Sequence, residues 1–287
     1  MKLRLSYFLC VVLLISCNHT AKTTIAKANI KSVSAKRVTN VQNANDTLAI
    51  PDDTIPKIII PEGTIQVVQR LIDTNNKVKI LEDGSIPYHG DIDPGDAKLN
   101  WEGIFYNKGN FYIKPTKIKI TSEHSEMDEE ENQKTGWQIK CDIKDSCFIL
   151  ISGVDNLVKG TIKRCPWHGG FDHAGQKKEF NYEGVTYTLY TTGAKRNGKA
   201  SNVKLFLMAN VKGHCFNQLI ESLGTEPTED DPDTIYLTLI GDIDGDKIPD
   251  FITSVSGYGG GSTTVYLSKF AGNDAILKPV GLFSTTN

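Results

Sequence analysis

Short runs in which apolar or β-branched residues recur, TIQVVQRLI, FYIKPTKIKI, WQIKCDI, CFILISG, VTYTLYTTG, VKLFLMANV, IYLTLI and TTVYLS, are bounded by Gly, Asn, Asp and Pro. This spacing predicts a mainly β body, built as an antiparallel sheet, sandwich or barrel, in preference to alternating βα units. One segment departs from the pattern. In GHCFNQLIESLG the apolar residues Phe216, Leu219, Ile220 and Leu223 follow a helical period and Gly224 supplies a stop, so one short helix is predicted there. No repeat of about 20 to 50 residues is visible, which disfavours a propeller or solenoid assembled within this chain.

The N-terminal end reads differently. Lys2 and Arg4 precede the apolar run Tyr7–Ile15, which has the length of a signal-peptide core and is too short to span a bilayer. Residues 1–16 are therefore expected to be an export signal, residues 17–61 a flexible tether and residues 62–287 the folded body. The tether expectation rests on some forty residues after Cys17 that lack any aromatic side chain or sustained period and cannot bury enough apolar surface to offset their ordering entropy. Pro51, Pro56 and Pro61 would stiffen its far end into an extended spacer.

Leu14-Ile15-Ser16-Cys17 resembles the lipobox of bacterial lipoproteins, in which a small residue precedes a cysteine that is acylated and becomes the new N-terminus. The resemblance implies lipidation at Cys17, a membrane partner reached through the lipid anchor, and a place in the bacterial cell envelope. Two or three acyl chains, at about 0.8 kcal/mol per buried CH₂, would make that anchoring effectively permanent. Asn18 after the cysteine gives no inner-membrane retention cue, so the outer membrane is expected, with the body facing the periplasm or the cell surface.

Composition narrows the classes further. With 25 Gly and 11 Pro in 287 residues, collagen-like and wholly disordered chains are excluded, and 39% hydrophobic and 8% aromatic residues can fill a core. Setting aside Lys2 and Arg4 leaves 30 basic against 34 acidic residues, a formal charge of −4, so nothing favours nucleic acid, which calls for a basic face. The acidic stretches HSEMDEEEN (124–132) and EPTEDDPD (226–233) read as solvated loops.

The strongest chemical signal is GDIDGDKIPDF, which places carboxylates at Asp242, Asp244, Asp246 and Asp250, positions 1, 3, 5 and 9 of a loop between IYLTLI and FITSVS. Calcium takes six to eight oxygens, and alternate acids in a tight loop can turn several side chains toward one centre, with the Ile248 backbone carbonyl and water closing the shell. Such closely set acids would repel strongly without a cation. Lys247 in place of Gly at position 6 and Thr253 in place of Glu at position 12 exclude an EF-hand. The loop resembles the calcium loop of FG-GAP/VCBS-type repeats, D-x-D/N-G-D-G-x-x-D followed by an apolar residue. That resemblance places Asp242, Asp244, Asp246 and Asp250 on ligand positions and Gly245 on the turn glycine, while Lys247 replaces the second glycine, a departure that bears on backbone conformation and affinity. More loosely, Ile235 to Ala271 is similar to the C-terminal segment of uncharacterised bacterial envelope lipoproteins, which implies a location and an ion site but no reaction.

CPWHGGFDH (165–173) looks like one ligand box of a Rieske centre, but the first box lacks its histidine, since Ile149 stands there beside Cys147. Zinc through Cys165, His168 and His173 with Cys141 or Cys147 is a further option. An exported chain matures in oxidising surroundings, which favours two disulfides among Cys141, Cys147, Cys165 and Cys215, in any of three pairings. A cysteine nucleophile helped by His168 or His214 is formally open. No G-x-S-x-G, H-E-x-x-H or S-x-x-K box is present, and GYGGGSTT (257–264) lacks the Lys of a phosphate loop and reads as a hairpin turn. The sequence thus points to a non-catalytic, calcium-stabilised β module binding a protein or glycan, with an envelope hydrolase carrying a structural calcium as the alternative.

Overall fold

The computed structural model describes residues 58–68, 77–125, 128, 132–196, 199–223, 234–257 and 260–286. The expected signal, Cys17, most of the tether and the acidic stretch 226–233 lie outside the described residues. In chain order the strands are β1 (Ile65–Val68), β2 (Lys79–Leu81), β3 (Trp101–Asn107), β4 (Asn110–Thr116), β5 (Ile118–Glu123), β6 (Gly136–Cys141), β7 (Ser146–Ser152), β8 (Gly160–Thr161), β9 (Gly169–Phe171), β10 (Lys177–Tyr182), β11 (Val185–Arg196), β12 (Lys199–Val211), β13 (His214–Ser222), β14 (Thr234–Gly241), β15 (Asp250–Gly257), β16 (Gly260–Leu267) and β17 (Lys278–Thr286).

Two-residue turns of one chemistry fold much of this. Lys108-Gly109, Glu183-Gly184 and Lys212-Gly213 all carry positive φ at both residues, the geometry whose twist matches that of paired strands, and they join β3 to β4, β10 to β11 and β12 to β13. Three five-stranded sheets result, ordered β1-β13-β12-β11-β10, β17-β16-β15-β14-β9 and β2-β7-β3-β4-β8, with β5 and β6 as a separate pair. Among the described residues pairing is antiparallel except between β1 and β13, and no sheet closes into a barrel.

The sheet β17-β16-β15-β14-β9 is the middle layer of a sandwich. Phe251, Tyr266, Leu237 and Ile240 join one apolar cluster with Phe216, Leu205, Leu207 and Tyr187 of the first sheet. Their neighbours Ile252, Val265, Leu267 and Leu239 join another with Ile104, Ile113, Ile149 and Ile151 of the third. A sheet buried on both faces needs apolar residues at consecutive positions, which is why IYLTLI and the start of FITSVS lack a clean alternation.

The helix predicted over 214–224 is absent, and His214–Ser222 is strand β13. The Lys212-Gly213 turn sends the chain straight back along β12, beginning at Val211 opposite His214. What imitates a helical period is a polar residue at a core position. Gln218 is fully buried and its amide donates to the Leu277 carbonyl at 2.6 Å and accepts the Ile276 and Leu277 N–H groups at 3.0 Å. With every polar atom partnered, Gln218 sits in the core between Phe216 and Ile220 without a desolvation penalty, and the expected apolar alternation is lost.

Candidate metal centre

Residues 242–249 form the loop that closes the β14–β15 hairpin at one end of the middle sheet, where Gly241 pairs with Asp250. Segment 158–165 runs beneath it: the Val158 N–H donates to the Ile243 carbonyl at 2.9 Å, and the Asp242 N–H to the Lys163 carbonyl at 3.0 Å. Ile243 is fully buried in the second cluster and pins the loop between Asp242 and Asp244.

Asp250 organises the site from below. It is fully buried, its Oδ2 accepts the Ile243 and Asp244 N–H groups at 2.6 and 3.0 Å, and its Oδ1 accepts the Ser268 N–H and hydroxyl at 2.7 and 2.9 Å. The Asp242 carboxylate turns back on its own loop, accepting from Gly245 N–H at 2.6 Å and Lys247 N–H at 3.2 Å. Asp244 is 3% exposed, and its Oδ2 accepts the Lys269 N–H at 3.0 Å while its Oδ1 is buried with no hydrogen-bond partner. One carboxylate oxygen from each of Asp242, Asp244 and Asp250 lies within 4.8 Å of the others.

This crowding costs free energy when all three are ionised. Burial, followed by the charges of Asp246 and Asp242, pushes the Asp244 carboxyl up to about 6. Burial, followed by the charge of Asp244, raises Asp250 well above the usual carboxylate range in spite of its hydrogen bonds from Ser268 and Ile243. A divalent cation reverses that logic by supplying the missing positive charge. The donor set, carboxylate oxygens with a backbone carbonyl close by, is that of a hard cation.

Of the ligands expected from sequence, the structure brings together Asp242, Asp244 and Asp250. Asp246 stands beside them but is occupied otherwise, its Oδ1 accepting the Ile248 N–H at 2.8 Å and the Ser268 hydroxyl at 2.9 Å. The Ile248 carbonyl lies 3.5 Å from the same hydroxyl, on the side of the site that Asp246 and Asp250 share. Ser268 went unnoticed in the sequence, although pairing β15 with β16 from their hairpin turn places it just past Leu267, next to Asp250.

Lys247 takes φ +69, the left-handed region that favours glycine. A non-glycine residue there is strained by about 1–2 kcal/mol. Lys247→Gly should relieve part of this, after the glycine's entropy loss, and stabilise the body by about 0.5–1 kcal/mol in urea melts. Gly245, at φ +82, would be strained by any side chain, and a Cβ there would sit tightly at 3.0 Å from Val158 Cγ2.

The expected disulfides are not formed: Cys141, Cys147, Cys165 and Cys215 are all free thiols. Cys141 and Cys147 instead direct their thiols to the Ile143 and Ile149 carbonyls at 3.5 and 3.6 Å, and Cys215 Sγ accepts from Thr64 Oγ1 at 3.4 Å. Burial raises the thiols of Cys141 and Cys147, the opposite of what a nucleophile requires. Cys165 is buried whereas His168 and His173 are exposed, and among the described residues only the three aspartates form a group able to hold a metal. No family model, curated protein or solved structure matches the chain.

Proposed function

We propose that this is a lipid-anchored bacterial envelope protein whose three-layer β body is stabilised by calcium at the β14–β15 loop and acts as a non-catalytic binding module. The observation that carries the ion is Asp244 Oδ1, a buried carboxylate oxygen with no protein partner in a group of three acids. Asp242, Asp244 and Asp250 would hold the cation, with the Ile248 carbonyl nearby, and the ion's part is charge neutralisation and loop stiffening. Asp250 already accepts four hydrogen bonds, so it contributes chiefly by fixing Ile243, Asp244 and Ser268 in place. The lipobox-like Leu14–Cys17 and the aromatic-free tether support the anchor and the stand-off from the membrane.

Calcium titration calorimetry on the full chain tests the ion. One site per chain is expected, with a dissociation constant on the order of 10⁻⁴ to 10⁻³ M, typical of extracellular calcium modules. Asp244→Asn removes the unpartnered charge and should weaken binding at least roughly tenfold. Unchanged affinity in that variant would place the ion elsewhere, and absence of binding heat and of competition with a calcium indicator would remove it.

A further inference from the structure

Asp242 differs from the other acids of the ion group in what holds its backbone. The N–H groups of Ile243 and Asp244 are bound by Asp250, inside the hairpin, at 2.6 and 3.0 Å. The Asp242 N–H is bound from outside it, by the Lys163 carbonyl at 3.0 Å and by the Tyr182 hydroxyl oxygen at 3.2 Å. Its carboxylate has little freedom of its own, because the Gly245 N–H holds Oδ1 and the Lys247 N–H holds Oδ2. Where that carboxylate stands relative to Asp244 and Asp250 is therefore set by whatever fixes the Asp242 backbone.

Tyr182 reaches that backbone from another sheet. It is the last residue of β10, pairs with Val185 across the Glu183-Gly184 turn and is 4% exposed, in the apolar cluster shared by the first and middle sheets. At its tip the hydroxyl donates to the Lys163 carbonyl at 2.7 Å and accepts the Asp242 N–H, so one proton and one lone pair join the two. Lys163 is itself fixed. Gly241, which pairs with Arg164, lies so close that a Cβ on it would stand 2.9 Å from the Lys163 carbonyl oxygen, and the Cys165 N–H is bound to the Ile240 carbonyl at 2.8 Å.

We propose that Tyr182 is a positioning residue of the ion site: its hydroxyl, between the Lys163 carbonyl and the Asp242 N–H, holds the Asp242 backbone where the carboxylate faces Asp244 and Asp250, so the first sheet helps set calcium affinity without touching the ion. This deepens the ion reading above and rests on it.

Calorimetric titration of the full chain with calcium, in wild type, Tyr182→Phe and Tyr190→Phe, tests it. Tyr182→Phe keeps the packed ring and removes only the hydroxyl. Tyr190→Phe is the control for a buried tyrosine hydrogen bond lost in the same sheet, since Tyr190 is buried, lies outside the loop and donates to Asn217 Oδ1 at 2.8 Å. Tyr182→Phe should weaken calcium about tenfold, the low end for residues that orient a metal ligand from behind. Tyr190→Phe should leave the affinity within about twofold even as it lowers the urea midpoint in chelator, which separates positioning from stability. Should Tyr182→Phe not fold, the wild type isotope-labelled at tyrosine Cζ carries the test by NMR, and calcium should move the Tyr182 signal in step with occupancy while the Tyr190 signal stays in place. Unchanged affinity in Tyr182→Phe, equal weakening in both variants, or a Tyr182 signal that calcium does not move would overturn the proposal and leave the ion in place. A wild type that binds no calcium would overturn the ion reading and the proposal together.

Discussion

Asp250→Ala should destabilise the body by about 3–5 kcal/mol in the presence of chelator, the largest effect expected of any single change in the loop. Three donors lose their acceptor at once, the N–H groups of Ile243, Asp244 and Ser268, while the Ser268 hydroxyl keeps Asp246 Oδ1 as its acceptor. All belong to a fully buried site that water reaches only if the hairpin opens. Each unsatisfied donor costs on the order of 1–3 kcal/mol, offset in part by relief of repulsion with Asp244. Asp246→Ala makes the contrast. It removes an acceptor of two hydrogen bonds in a less buried position, and should cost about 1 kcal/mol. Urea unfolding of both variants in chelator distinguishes a structural staple at Asp250 from a group that matters only as a ligand.

The second large effect is a pH dependence whose sign is unusual for a protein stabilised by carboxylates. Asp244 titrates at about 6 in the folded chain against about 3.9 in the unfolded one, so over this interval the folded state binds more protons. Stability without cation should therefore fall as pH rises from about 4 to about 6 and level off above, a loss on the order of 3 kcal/mol. Asp250 is raised as well and acts in the same direction. Acids nearer the surface such as Asp142 and the half-buried Asp145, which hydrogen bonds hold below the usual carboxylate range, act oppositely but only at lower pH. Calcium bound by the loop acids would keep them ionised in the folded state, so it should flatten the decline. Urea midpoints at pH 5 and pH 7, with chelator and with calcium, check this; parallel curves would mean that the three carboxylates do not feel one another.

Some of this molecule was legible in its sequence because it is local. Alternate aspartates, turn glycines and β-branched runs announce a hairpin with an acidic loop, and β14, β15 and β16 lie where those signals place them. What stayed hidden depends on contacts between distant residues. The order of three layers is set by which face of Phe251 or Ile252 meets which sheet, and no local pattern carries that. Gln218 reads as a polar interruption until its partners at 276 and 277 are known. Tyr182 is one tyrosine among many until the Lys163 carbonyl and the Asp242 N–H are found at its hydroxyl. Cysteine count and compartment argue for bridges, but a bridge needs sulfurs at bonding distance, and even Cys141 and Cys147, whose thiols neighbour one another, do not reach it.

Whether the Asp242, Asp244 and Asp250 group holds a cation that the fold uses is tested most directly by the melting temperature at pH 7 in chelator and in 10 mM calcium. With a dissociation constant of about 10⁻⁴ to 10⁻³ M, calcium at that concentration should add about 1.4–2.7 kcal/mol. For a body of this size the rise should be about 3–10 °C, with magnesium giving much less. Identical melting curves in chelator and in calcium would contradict the account.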